Sequence, residues 1–195
     1  MLENIVRNHY QRWLVDPLAV RLTTRITPLH ITLLAGVLGL CLIPTLYFHH
    51  IYLAISLLLL SGYLDTLDGT FARHTNKASS FGAVLDILMD RLVEFSAIFG
   101  LWLIDPTPRA LWCLLMLGSI LLCITSFLVV GIFTANDSHK GFYYSPGLME
   151  RAEAFIFFIS MMLFPSAFMV LAVLFIFLVL VTTCIRLIEF RRFLS

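Results

Sequence analysis

Apolar residues fill this chain in long blocks, and polar residues gather mainly in the short stretches between them. A helix needs roughly 20 apolar residues to cross about 30 Å of hydrocarbon, and the blocks approach that length. Six spans are predicted, over 29–48, 51–72, 80–103, 108–133, 149–164 and 166–188. The fifth is short, and Pro165 separates it from the sixth. Residues 1–25 follow a different pattern. There Leu2, Ile5, Val6 and Tyr10 fall at helical spacing beside arginines, as in a helix lying on the membrane surface. The expected fold is an all-α integral membrane protein, with an amphipathic juxtamembrane helix (1–25) followed by one six-helix domain (26–195).

Composition supports lipid as the solvent. Of 195 residues, 60% are hydrophobic and 13% charged, and mean hydropathy is +0.95. Soluble domains run nearer about half apolar and about a quarter charged. A net charge of +1 gives no reason to expect nucleic acid. Cys41, Cys113, Cys123 and Cys184 stand singly in apolar runs, without metal-type or disulfide-type spacing. The first 25 residues carry Arg7, Arg12, Arg21 and Arg25 without an early apolar core, so no signal peptide is expected.

Basic residues also predict orientation. With the N-terminus inside, one face receives the N-terminal arginines, Arg73, Lys77, Lys140, Arg186, Arg191 and Arg192, and the other keeps only Arg109 among the connecting segments. Both termini are then cytoplasmic, in agreement with an even number of spans.

Ionised residues inside a span are costly and usually mark function. Here Asp65, Asp68, Arg73, Asp86, Asp90, Arg91 and Glu94 crowd into one predicted hairpin. Asp65 and Asp68 are three apart and Asp86 and Asp90 four apart, so each pair shares a helix face. With the turn centred near Lys77–Ala78, Asp65 faces Asp90 and Asp68 faces Asp86, in two layers near the cytoplasmic side. Four carboxylates in one pocket need compensating cations. One or two divalent ions would serve, and all-oxygen ligands favour Mg²⁺, Mn²⁺ or Ca²⁺ over zinc. The alternative is structural pairing with Arg73 and Arg91, but two arginines cannot balance four carboxylates. Gly69, Ala72 and Gly82 let the helices approach closely, make room for a bulky ligand, or both.

The stretch reads Asp65-x2-Asp68-Gly69-x2-Ala72-Arg73-x8-Gly82-x3-Asp86-x3-Asp90. Position by position it resembles the signature of the CDP-alcohol phosphatidyltransferases. Eight fixed positions make the match specific, and the six-span plan and compact length resemble prokaryotic members. The resemblance implies transfer of a phosphatidyl group from CDP-diacylglycerol to an alcohol hydroxyl, with release of CMP, at the cytoplasmic face of the inner membrane. It implies two divalent ions, Mg²⁺ or Mn²⁺, with Asp65, Asp68 and Asp86 as ligands and Asp90 as base and further ligand. Gly69, Ala72, Arg73 and Gly82 would border the cytidine diphosphate. Pro28 and Thr32, in a segment resembling the family's opening to its first span, would touch the nucleotide or simply initiate a helix.

For the acceptor, Lys140, Arg151 and Arg186 converge on the inner face. The run Gly147-Leu148-Met149-Glu150-Arg151-Ala152-Glu153 resembles that of prokaryotic inositol-phosphate-using members, in which the arginine contacts the acceptor's phosphate. An arginine fork suits a phosphate, so a phosphorylated polyol is the preferred acceptor. Glycerol phosphate, serine and free inositol stay open, and Arg151 has the alternative of a local ion pair with Glu150 or Glu153. Two departures matter: residues 126–133 lack the basic residues expected in an inositol-phosphate enzyme, and no Asn-x-x-Thr-x-x-Arg pattern marks a glycerol-phosphate one.

The remaining features have plainer readings. His49 and His50 read as an outer interfacial turn, His74 as a turn residue, and Phe142, Tyr143 and Tyr144 as interface anchors or a cover for the pocket. The Phe-rich last spans serve lipid contact, packing or a homodimer. The rival of another class is a divalent-cation transporter, but no internal repeat is seen and the acids lie on one hairpin near one face.

Overall fold

Helices account for all regular structure among the described residues of the computed structural model, which are 27–74, 79–133 and 147–194. The predicted surface helix (1–25), Lys77, Lys140 and the aromatics Phe142, Tyr143 and Tyr144 lie outside them, as do the side chains of Arg73 and His74. The elements are α1 (Pro28–Leu40), α2 (Leu42–Tyr47), α3 (Ile51–His74), α4 (Ser80–Ile104), α5 (Pro106–Phe133), α6 (Arg151–Leu163), a 3-10 turn (Pro165–Ala167) and α7 (Phe168–Leu194).

Four stretches are long and apolar enough to cross a membrane: Pro28–Tyr47, Ile51–Ala72, Pro106–Phe133 and Pro165–Arg192. The two other predicted spans fall short for different reasons. Helix α4 has the length, at 25 residues, but carries Asp86, Asp90, Arg91 and Glu94. Helix α6 has 13 residues, which at about 1.5 Å each reach about 20 Å, below the roughly 30 Å of hydrocarbon.

The first predicted span is broken by its own sequence. Pro44 has no N–H to donate back to Leu40, and the helix is interrupted at Cys41. Thr45 Oγ1 lies over the break, within hydrogen-bonding distance of the carbonyls of Cys41 (2.9 Å) and Leu42 (3.0 Å). At the far end His49 takes a positive φ of 58°, which turns the chain into α3.

The helices fall into two compact units, α1–α4 and α5–α7. In the first, α1 packs on both α3 and α4, and α2 packs on α4. Glycines make this possible. A Cβ at Gly36 would lie 2.3 Å from Met89 Sδ, and one at Gly39 2.5 Å from Val93 Cγ2. Across the α1–α3 seam Ser61 Oγ donates to Ala35 O at 2.9 Å, and Ile31, Leu67 and Phe71 close the core beside it.

In the second unit α5 and α6 pack on α7. Phe158 and Phe175 are fully buried against each other, with ring centroids 5.5 Å apart. Arg109, expected in an outer connecting segment, instead stands in the first turn of α5. It is buried, with its guanidinium 4.4 Å from the centre of the Phe168 ring. Helix α7 also runs past the predicted end at 188, to Leu194. Leu111, Leu114, Leu121, Val170 and Phe177 are exposed, the apolar exterior that lipid selects.

Candidate active site

The carboxylates stand on α3 and α4, and capping sets where the α4 stripe begins. Ser79 is extended and its Oγ accepts from Gly82 N at 3.0 Å. From that start Gly82, Asp86, Asp90 and Glu94 follow at steps of four. Asp65 and Asp68 lie in the C-terminal half of α3.

One oxygen each from Asp65, Asp68 and Asp86 lies within 4.8 Å of the others. Ligand oxygens on opposite sides of an ion with bonds of about 2.1–2.5 Å are about 4–5 Å apart, so the trio fits one hard divalent cation. Asp68 is buried, at 5% exposure, and Asp65 and Asp86 are half-buried. Oδ1 of Asp86 and Oδ1 of Asp90 are buried and accept no hydrogen bond among the described residues, although both side chains take part in other interactions. Asp90 is not a member of the trio. Three of the four expected carboxylates thus form a close trio, and Asp90 follows Asp86 by one turn of α4. Arg91, one of the two arginines weighed as partners for the aspartates, has Nη1 2.6 Å from Glu94 Oε2.

Thr32 stands in a place that periodicity did not reveal. Its Oγ1 donates to Asp68 Oδ2 across the α1–α3 seam, and it also lies 3.1 Å from Pro28 O. Pro28 occupies the first turn of α1, as its missing N–H allows. So Pro28 starts the helix, as one reading of this segment expects, and that helix aims Thr32 at a metal-ligand candidate. Gly69 and Ala72 are half-buried on α3 beyond Asp68, and Gly82 lies in the first turn of α4. Arg73 falls near the end of α3, its side chain outside the described set.

The candidate acceptor residues Arg151 and Arg186 belong to the second unit. Arg151 opens α6 directly after the N-cap Glu150. Its neighbours Glu150 and Glu153 form a capping box, with Glu150 N donating to Glu153 Oε2 at 3.3 Å. The Arg151 guanidinium lies 5.3 Å from the Phe155 ring centre. On α7, Arg186 Nη1 donates to Cys123 O at 3.0 Å and lies 3.4 Å from Ser126 Oγ, while its guanidinium is 5.2 Å from the Phe127 ring. The start of the 126–133 stretch, which lacks basic residues of its own, therefore receives one from α7. No spacing within span four could have announced this.

Residues 25–186 match the family model described as CDP-alcohol phosphatidyltransferase. The chain belongs to that family. This CDP-alcohol phosphatidyltransferase is 33% identical over 150 residues to the Escherichia coli inner membrane protein YnjF, covering 73% of this chain and 72% of that one. It is 33% identical over 153 residues to the phosphatidylinositol phosphate synthase of Corynebacterium glutamicum, covering 73% and 66%. It is 31% identical over 150 residues to the archaetidylinositol phosphate synthase of Methanothermobacter thermautotrophicus, covering 76% and 71%. Its fold matches crystal structures of the Mycobacterium tuberculosis phosphatidylinositol phosphate synthase (PgsA1). The one with CDP-DAG bound gives a TM-score of 0.75 at 23% identity, covering 91% of this chain and 93% of that one. The one with manganese and citrate gives 0.76 at 21%, covering 91% and 88%. The protein is a transferase of a substituted phosphate group, with helices built to stand in a membrane.

Proposed function

We infer that this phosphatidyltransferase moves the phosphatidyl group of CDP-diacylglycerol to a hydroxyl of a phosphorylated polyol and releases CMP. The observation that carries the reaction is the gathering of Asp65, Asp68 and Asp86 oxygens within 4.8 Å. Support for the substrates comes from the inositol-phosphate-making relatives and the neighbour with CDP-DAG bound.

Asp65, Asp68 and Asp86 would hold Mg²⁺ or Mn²⁺, with Asp90 contributing if two ions bind. Such ions, when bound, neutralise the diphosphate and the departing CMP. The manganese in a structural neighbour supports that choice. Thr32 keeps Asp68 turned toward its fellow carboxylates by donating to Oδ2. The acceptor's hydroxyl oxygen bonds to the phosphorus that carries diacylglycerol, and the bond from that phosphorus to CMP breaks. CMP leaves with the electron pair, and the hydroxyl proton passes to Asp90. Gly69, Ala72, Arg73 and Gly82 border the cytidine diphosphate, with Pro28 and Thr32 near it. Arg151, Arg186 and Lys140 bind the acceptor's phosphate, for which guanidinium forks are suited.

In this reading α4 and the 149–164 segment, in which non-helical residues lengthen α6, complete six spans, residues 1–25 lie on the inner surface, and the site and both termini face the cytoplasm. The exposed apolar face of α7 meets lipid or a second copy of the chain.

An acceptor panel tests the proposal. Detergent-solubilised enzyme with labelled CDP-diacylglycerol and Mg²⁺ is given inositol phosphate, glycerol phosphate, inositol or serine. CMP release with a phosphorylated polyol is expected. Product formed only with serine or free inositol overturns the acceptor, and no CMP with any of them overturns the reaction.

A further inference from the structure

The segment leading into α6 is fastened to α7 at one residue. Met149 N donates to Thr182 Oγ1 at 3.0 Å, and the same hydroxyl donates to Leu178 O at 2.9 Å. Thr182 is fully buried. Gly147 lies against the same side chain, since a Cβ there would come 2.2 Å from Thr182 Cγ2. A threonine in a membrane helix commonly satisfies itself on the carbonyl four residues back, and Thr45, Thr66, Thr70 and Thr183 all do so here. Thr182 does this and something more, because its oxygen also takes a main-chain N–H from a segment outside any helix.

That N–H lies two residues before Arg151. Between them stands only Glu150, whose conformation the capping box holds. The course from the α7 anchor to the first residue of α6 thus has little freedom. Arg186 follows Thr182 by one turn of α7. Both candidate phosphate-binding arginines are therefore referenced to one stretch of α7.

We propose that Thr182, with Gly147 backed against it, is a positioning residue for acceptor specificity: it sets where Arg151 stands and hence how tightly the acceptor's phosphate is held. This rests on Arg151 binding that phosphate. Valine at 182 keeps the shape and removes the hydroxyl.

The test is steady-state kinetics with inositol phosphate and CDP-diacylglycerol on full-length enzyme carrying Thr182→Val, Thr182→Ser or Arg151→Gln. Thr182→Val should raise KM for inositol phosphate about tenfold, the equilibrium factor for one misplaced charge-assisted hydrogen bond. Its kcat and its KM for CDP-diacylglycerol should stay near wild type, and Thr182→Ser should restore the acceptor KM. An unchanged acceptor KM in Thr182→Val, with a raised one in Arg151→Gln, overturns the anchor alone. An unchanged acceptor KM in Arg151→Gln overturns the reading beneath it, and the proposal with it. A fall in kcat with equal rises in both KM values shows a merely structural role and overturns the proposal. If Thr182→Val does not fold, Gly147→Ala carries the same expectation, and failure of both to fold also counts as structural and sinks the proposal.

Discussion

The two units of this transferase carry opposite charge by opposite means. In the first, three acids converge from the consecutive helices α3 and α4, and a threonine from α1 steadies one of them. In the second, Arg151 and Arg186 come from different helices, and each depends on contacts made far away in sequence. Arg186 reaches α5 through Cys123 and Ser126, and Arg151 begins a helix whose approach is tied down at Thr182. A site on two consecutive helices is set largely by spacing within one stretch of chain. A site assembled from separate helices can change its ligand through residues that never touch it.

This contrast can be broken experimentally. The largest effect is expected from Asp68→Ala, which should remove Mn²⁺ binding, followed by calorimetry, together with turnover; wild-type metal affinity in that variant would remove Asp68 from the ligand set. Next, Asp90→Asn should lower kcat by roughly 10²–10⁴-fold, the range for a lost general base. CDP-diacylglycerol binding to that variant, measured by equilibrium dialysis, should persist. A smaller shift is expected for Thr32→Val. Loss of a group that orients a metal ligand should weaken Mn²⁺ affinity by about 10–100-fold, with Thr32→Ser near wild type. If Thr32→Val binds Mn²⁺ normally, the hydroxyl serves helix packing alone. The smallest is Arg186→Met. Losing its bonds to α5 should lower the thermal midpoint by about 2–4 °C, and the KM for inositol phosphate should rise without a change for CDP-diacylglycerol. A variant stable and unaltered in that KM would show that Arg186 neither braces α5 nor meets the acceptor.

Much of the first unit was legible before any coordinates. Helix periodicity placed Asp65 with Asp68 and Asp86 with Asp90 on shared faces, and the turn between α3 and α4 allowed depth to be estimated by counting. Counting put Asp68 level with Asp86, in keeping with the trio of Asp65, Asp68 and Asp86, but it could not single that trio out. A turn count gives height along the helices but not their rotation about their own axes, and rotation decides which oxygens meet. Thr32 was visible as part of a motif, yet its bond to Asp68 spans 36 positions and follows from the close α1–α3 seam.

The amino-acid sequence by itself determined that this protein lives in lipid, that its helices are apolar and long, and that two consecutive helices carry an acidic motif resembling the family's signature. These rest on composition, on the 3.6-residue period and on fixed spacing, all local in the chain. Only the tertiary structure decided that Asp65, Asp68 and Asp86 bring oxygens within 4.8 Å of one another, that Thr32 steadies one of them, that Arg186 serves the basic-poor end of α5, and that Thr182 holds the approach to Arg151. Each of these depends on how one helix is turned toward another. That is set by glycine contacts such as Gly36 on Met89 and Gly147 on Thr182, whose partners lie dozens of residues away and leave no periodic trace.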